Sequence, residues 1–229
     1  MKTLGLIGGT GWASSAEYYR IINELTNKQL GGLNYSRCIL YSFNYEDVNR
    51  NNLNKDYNKV YEIVEDAVLK LISIGAEGIV LCANTLHDYA EKLQTKINVP
   101  IIHIAEATAL QIIDNKIDTI GLLGTKQTME KDFYKNKLSE KGIRTLIPND
   151  EDRDFINNTI FTELFNKEFK TSTRRRFVEI MGKLRLKGAK GIILGCTEIP
   201  LLIQQKDFDL PLFDTLQIHA EYAVKFALS

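Results

Sequence analysis

Short apolar, β-branched runs alternate along the chain with longer stretches whose apolar positions recur at helical spacing. The runs are Thr3–Gly8, Cys38–Phe43, Gly78–Leu81, Ile101–Ile104, Thr119–Leu123, Arg144–Ile147, Gly191–Leu194 and Leu210–Phe213. Most are apolar throughout rather than at every second position, the pattern of parallel strands covered on both faces. In Tyr57–Ser73, Val60, Ile63, Val64, Ala67, Val68, Leu71 and Ile72 fall on one face of an amphipathic helix. Thr173–Lys187 does the same with Phe177, Ile180, Met181 and Leu184. Strand followed by helix, repeated, predicts an α/β fold with a mostly parallel sheet and right-handed crossovers.

The pattern also repeats on itself. Leu4–Gly8 (LGLIG) returns as Ile120–Gly124 (IGLLG), Gly75–Cys82 (GAEGIVLC) as Gly188–Gly195 (GAKGIILG), and Val99–Ile102 (VPII) as Leu210–Phe213 (LPLF), in the same order. Three matches in register predict two similar, pseudo-symmetric α/β lobes, each a mostly parallel sheet flanked by helices. The active site is expected in the cleft between the lobes. Because the last strand–helix unit, Leu210–Leu228, mimics the one that ends the first half, the tail can pack on either lobe; the division expected is residues 1–104 plus 210–229, and residues 105–209.

Composition narrows the classes of function. The 229 residues carry 29 Lys+Arg and 29 Asp+Glu, a net charge of zero, so no electrostatic attraction to nucleic acid or an anionic membrane is expected. Hydrophobic residues make up 44%, enough for a folded core. No apolar stretch reaches the ~18–20 residues of a membrane span, and MKTLGLIGG lacks the apolar core of a signal peptide. Three cysteines do not make a disulfide framework, and a reducing, cytoplasmic setting is expected.

Two of those cysteines occupy matched places. Cys82, in Leu81-Cys82-Ala83-Asn84-Thr85, and Cys196, in Gly195-Cys196-Thr197-Glu198, each follow an apolar strand and precede a predicted helix. Ligands of open α/β sheets bind at strand carboxyl ends, and a helix N-terminus lowers a thiol pKa from about 8.5, in known cases to roughly 3.5–7.5. Both thiols are therefore expected to be partly ionised. Cys38, inside a strand, reads as core.

Around these motifs the chain resembles the aspartate/glutamate racemase family of cofactor-independent amino-acid racemases. The resemblance rests on Gly8-Gly9-Thr10-Gly11-Trp12 with Tyr18-Tyr19, on Cys82-Ala83-Asn84-Thr85, on Gly195-Cys196-Thr197-Glu198-Ile199-Pro200, and on Phe213-Asp214-Thr215 with Ile218-His219-Ala220. Thr10 and Gly11 stand where the family is usually described with Met and Ser. The resemblance implies racemisation of aspartate or glutamate, with Cys82 and Cys196 exchanging the roles of base and acid, no cofactor, and a homodimer.

Substrate contacts follow from the chemistry such a reaction needs. A carbanion that spreads onto the α-carboxylate calls for aimed donors; Asn84, Thr85 and Thr197 are candidates, with helix capping as their alternative. Thr10 and Thr125, at equivalent strand ends, are expected to line the same cleft, with a plain turn role as the alternative. A distal carboxylate calls for a cation. Arg50, in the loop after the second strand, is one candidate. Lys167 is the other by resemblance, with Lys170 competing. Glu198 either tunes the thiol or complements a helix start. His87, His103 and His219 lack metal-ligand spacing, and helix-packing or surface roles are expected; for His87, one helical turn past the first cysteine motif, contact with the cleft is the alternative. Arg174-Arg175-Arg176 reads as a solvated face.

Other readings remain open at this point. Within the superfamily, the cysteine pair suits hydantoin racemisation or maleate isomerisation. A non-catalytic dicarboxylate-binding protein would keep the pocket without turnover. A dinucleotide fold is disfavoured, because Ser14 replaces the third fingerprint glycine and no acidic residue follows at the expected distance.

Overall fold

The computed structural model describes residues 1–229. The chain divides into two units, residues 1–103 with 219–229, and residues 104–218.

The first unit runs through β1 (Leu4–Gly8), α1 (Trp12–Leu30), β2 (Cys38–Ser42), α2 (Tyr45–Leu53), α3 (Tyr57–Ser73), β3 (Gly78–Leu81), a 3₁₀ turn (Asn84–Tyr89), α4 (Ala90–Gln94) and β4 (Ile101–Ile102). Its four strands are parallel in the order β2-β1-β3-β4. Ile7 of β1 lies between Tyr41 and Leu81. Every residue of β1 and β3 is buried, whereas the edge strand β2 is partly open. Cys38 is therefore half-buried rather than core. Helix α3 has the predicted bounds. Asp56 caps it, accepting from the Lys59 N–H at 3.0 Å, a contribution of about 1 kcal/mol. Burial of Val60, Val64, Val68 and Leu71, at roughly 1.5–3 kcal/mol each, outweighs the cap and holds the helix on the sheet.

The second unit follows as α5 (Ile104–Asp114), β5 (Thr119–Gly124), α6 (Lys126–Glu130), α7 (Asp132–Glu140), β6 (Arg144–Leu146), α8 (Asp150–Thr162), α9 (Thr171–Leu186), β7 (Ile192–Gly195), α10 (Ile199–Leu202) and β8 (Leu212–Asp214). Helix α11 (Thr215–Leu228) carries the chain back into the first unit at His219. The strand order is β6-β5-β7-β8, again all parallel. This repeats the first sheet strand for strand.

Two expectations need correction here. Residues 210–218, assigned from the sequence to the first lobe, belong to the second unit. Leu212, Phe213 and Asp214 pair with Ile192, Ile193 and Leu194. The likeness of Leu210–Phe213 to Val99–Ile102 reports equivalent edge positions in two sheets, not a shared sheet. The arginine run is not a uniformly solvated face. Arg174 donates to the Leu202 carbonyl at 2.9 Å, and Arg176 to the buried Asp152 at 2.6 Å; only Arg175 is exposed.

In each sheet the direction of crossover reverses between two neighbouring strands, β1 and β3 in one, β5 and β7 in the other. Loops leaving the carboxyl ends of such a pair diverge, and ligands bind in the crevice that results. Gly9 sits at the first of these points with φ +93°, where a Cβ would lie 2.2 Å from the Phe43 nitrogen. No helix is long and apolar enough to cross a membrane.

Candidate active site

Both matched cysteines emerge at these reversal points, one residue beyond β3 and one beyond β7. The Cys82 N–H continues the ladder, donating to the Ile7 carbonyl at 2.8 Å, and its side chain is 1% exposed. Its carbonyl accepts from the Ser14 hydroxyl of α1 at 3.1 Å. Asn84 is buried and Thr85 half-buried in the following 3₁₀ turn. The cap position there is Ala83, with no side-chain cap, so neither Asn84 nor Thr85 acts as one. Thr10 is half-buried in the loop leaving β1, the strand beside β3. Arg50 is exposed and lies on α2 rather than in a loop, with no ion pair.

The second unit provides a denser polar cluster. Glu198 is buried, and its Oε2 accepts from the Cys196 thiol at 3.0 Å and from the Thr197 hydroxyl at 2.7 Å. Thr197 does not cap α10, whose cap position is Glu198. Thr125, at the carboxyl end of neighbouring β5, does cap a helix, accepting from the Thr128 N–H at 3.3 Å. Lys167 is exposed at the end of the 3₁₀ turn Leu164–Asn166, in a left-handed conformation with φ 59°. Its competitor Lys170 is engaged with Glu163 and Glu168, both at 3.2 Å.

Electrostatically, the thiols depart from the sequence expectation. Burial pushes the Cys82 thiol far above its ordinary range. Burial does the same to Cys196, reinforced by the charge of Glu198 and its hydrogen bond. Desolvation is the largest influence on both thiols, and it outweighs the depressing effect expected of a following helix start.

The histidines form a cluster that their sequence separation hides. His87, His103 and His219 are all buried, with ring centroids 4.8 Å apart for His87–His103 and 5.3 Å for His87–His219. His219 Nε2–H donates to the Ile102 carbonyl at 2.6 Å, so its Nδ1 accepts from the Tyr18 hydroxyl at 2.8 Å. Desolvation pushes His87 down to about 4 and His219 down to about 3. Both imidazoles are neutral at physiological pH. No group of three or more His, Cys, Asp and Glu side chains is placed to hold a metal ion. Ser14 and the joining of His87 to His103 and His219 are the features around Cys82 that sequence reasoning missed. Their partners are remote in sequence, and no local spacing signals them.

Comparison with known proteins agrees with this architecture. Residues 7–223 match the family described as Asp/Glu/Hydantoin racemase. The broad specificity amino-acid racemase RacX of Bacillus subtilis (strain 168) is 23% identical over 99% of this chain and 98% of its own. Among solved structures, a candidate Asp/Glu racemase from Yersinia pestis is 42% identical with a TM-score of 0.95. An aspartate racemase homologue from Pyrococcus horikoshii OT3 is 35% identical with a TM-score of 0.88. Both comparisons cover all of each chain. The match to the family model runs nearly end to end, and the chain belongs to the Asp/Glu/Hydantoin racemase family.

Proposed function

We propose that this protein racemises an acidic amino acid, aspartate or glutamate, by moving protons between the substrate α-carbon and the thiols of Cys82 and Cys196. Family membership and the racemase relatives support amino-acid racemase activity. The observation that carries the mechanism is the equivalent placement of two buried cysteines at the reversal points of two matching sheets.

Inversion requires that a proton leave one face of the α-carbon and another arrive at the opposite face. A single base tends to return the same proton to the same face, so two groups are needed. A desolvated thiolate is a stronger base than one in water, which suits a weakly acidic C–H. Glu198 Oε2 lies 3.0 Å from the Cys196 sulfur, close enough to receive the thiol proton. When Glu198 takes it, the Cys196 thiolate removes the α-proton, and the C–H electron pair passes toward the α-carboxylate. The Cys82 S–H then delivers its proton to the other face, and the thiol roles are exchanged. The reverse hand runs the sequence backwards. Asn84, Thr85, Thr197, Thr10 and Thr125 are the polar groups assigned to the α-carboxylate and ammonium, with Arg50 and Lys167 assigned to the distal carboxylate. The reaction in this reading uses the chain's own groups, without a cofactor.

The test follows optical rotation of L-aspartate and L-glutamate, with alanine and a hydantoin as comparison substrates, and solvent deuterium at the α-carbon. Loss of rotation with one deuterium per inverted molecule is expected for at least one acidic substrate. Cys82→Ala and Cys196→Ala should each lower the rate in both directions by about a thousandfold or more. No inversion of either acid, or full activity of one cysteine variant, overturns the reading.

A further inference from the structure

Two successive carbonyls in the turn that carries Cys82 are held by buried side chains. The Cys82 carbonyl accepts from the Ser14 hydroxyl of α1 at 3.1 Å. The next carbonyl, of Ala83, accepts from His87 Nδ1 at 3.0 Å. Ser14 is 6% exposed and His87 fully buried. The Ala83 carbonyl also accepts from the Leu86 N–H at 3.3 Å. At the other turn it is the cysteine's own carbonyl that closes locally, accepting from the Ile199 N–H at 3.1 Å, whereas the Cys82 carbonyl is held by a side chain from α1. Cys82 also differs in what holds its sulfur. Cys196 Sγ is fixed by Glu198, while Cys82 Sγ has only the Val80 carbonyl at 3.7 Å.

From this contrast we propose that Ser14 and His87 are positioning residues, clamping the Cys82–Ala83 peptide so that the thiol keeps one direction. A carbonyl fixed by a hydrogen bond fixes the plane of its peptide. The orientation of the Cα–Cβ bond of Cys82 is set by the peptides on either side. One of these is tied to β1 through the Cys82 N–H, the other to α1 through Ser14. His87, neutral and wedged against His103 and His219, extends the restraint one peptide further. Misplacement of a reacting group by about 1 Å costs up to about a hundredfold in rate, which is the scale of effect this clamp controls.

The kinetic arm of the test rests on the reading of Cys82 as a reacting thiol; the labelling arm does not. Ser14→Ala, Ser14→Thr and Thr26→Val are compared in the full chain. Thr26 supplies the control, a buried hydroxyl on the same helix that bonds Ile22. Ser14→Ala is expected to lower kcat about ten- to a hundredfold with KM within about twofold. It should raise the rate of Cys82 alkylation by iodoacetamide several-fold, read by peptide mass spectrometry, with Cys196 unchanged. Ser14→Thr, which keeps the hydroxyl, should restore most of the kcat and most of the slow Cys82 labelling, and Thr26→Val should alter neither thiol selectively. Unchanged kcat and Cys82 labelling in Ser14→Ala overturns the clamp. Equal effects on both thiols, or equal losses in the Ala and Thr variants, assign the effect to packing and also overturn it. A wild-type chain that inverts no substrate defeats the racemase reading alone, and the labelling arm still decides the clamp.

Discussion

Glu198 faces Cys196 but has no counterpart beside Cys82, so removing its charge acts on one thiol. Its charge and hydrogen bond both hold the Cys196 thiol up. In Glu198→Gln the alkylation of Cys196 should therefore gain rate at lower pH than in the wild type, while the profile of Cys82 stays in place. Turnover should fall by about a hundredfold or more, the scale of a lost acid–base group, because the proton that Glu198 accepted has no nearby destination. A parallel shift of both thiol profiles argues against a private Cys196–Glu198 pair. Arg50, exposed and without an ion pair, is free to meet a carboxylate. Arg50→Ala should raise KM for the preferred dicarboxylate roughly ten- to a hundredfold, the worth of a charged hydrogen bond, and leave alanine unaffected; equal changes for both would remove Arg50 from the distal site. At this scale the sequence exposed the cysteines and Glu198, because each lies within a local motif. It misjudged the ionisation of the two thiols, because desolvation is a property of the folded surroundings and leaves no mark in the spacing of residues.

The elements around Cys82 impose a pH dependence of their own. His87 and His219 are held near pKa 4 and 3 in the folded chain, against an ordinary value of 6.5. Between those values the unfolded chain binds more protons than the folded one, so stability rises with pH across the window and is lost as pH falls through it. For His87 alone the loss is on the order of 3 kcal/mol. Urea unfolding followed from pH 7 to pH 4 should show the midpoint falling steeply below about 6.5, and less steeply in His219→Gln. A second test concerns the loop from β1 to α1. Gly9→Ala meets the Phe43 backbone, which cannot move without shifting β2, and should cost about 1–3 kcal/mol or more, read as a lower denaturant midpoint. The helices and strands themselves were legible in the sequence: α3 runs over the predicted Tyr57–Ser73, and all eight strands lie where apolar runs occur. What periodicity did not carry was strand order. Cys38 has the apolar neighbours of a core strand, and only the sheet reveals that β2 is an edge.

For the whole molecule, the internal repeat disclosed two sheets of one design, and the structure gives them the same strand order. The point of exchange between the units was harder to read. Leu210–Phe213 resembles the fourth strand of the first sheet because it is the fourth strand of the second, and similarity alone does not say which neighbour a strand pairs with. The return at His219 has a direct test. Residues 219–229 bring buried His219, Ala220, Ala223, Val224 and Ala227 to the first unit, and a chain ending at residue 218 should expose that core. Limited proteolysis is expected to cut such a chain within residues 1–103 while residues 104–218 resist; uniform resistance would show that the first unit stands without its last helix. The same connectivity sets an order on synthesis. A ribosome synthesises all of residues 104–218 before it makes the segment that finishes the amino-terminal unit. The half that is translated first is thus the last to close, and its hydrophobic interior waits, incomplete, until its own final helix has cleared the exit tunnel.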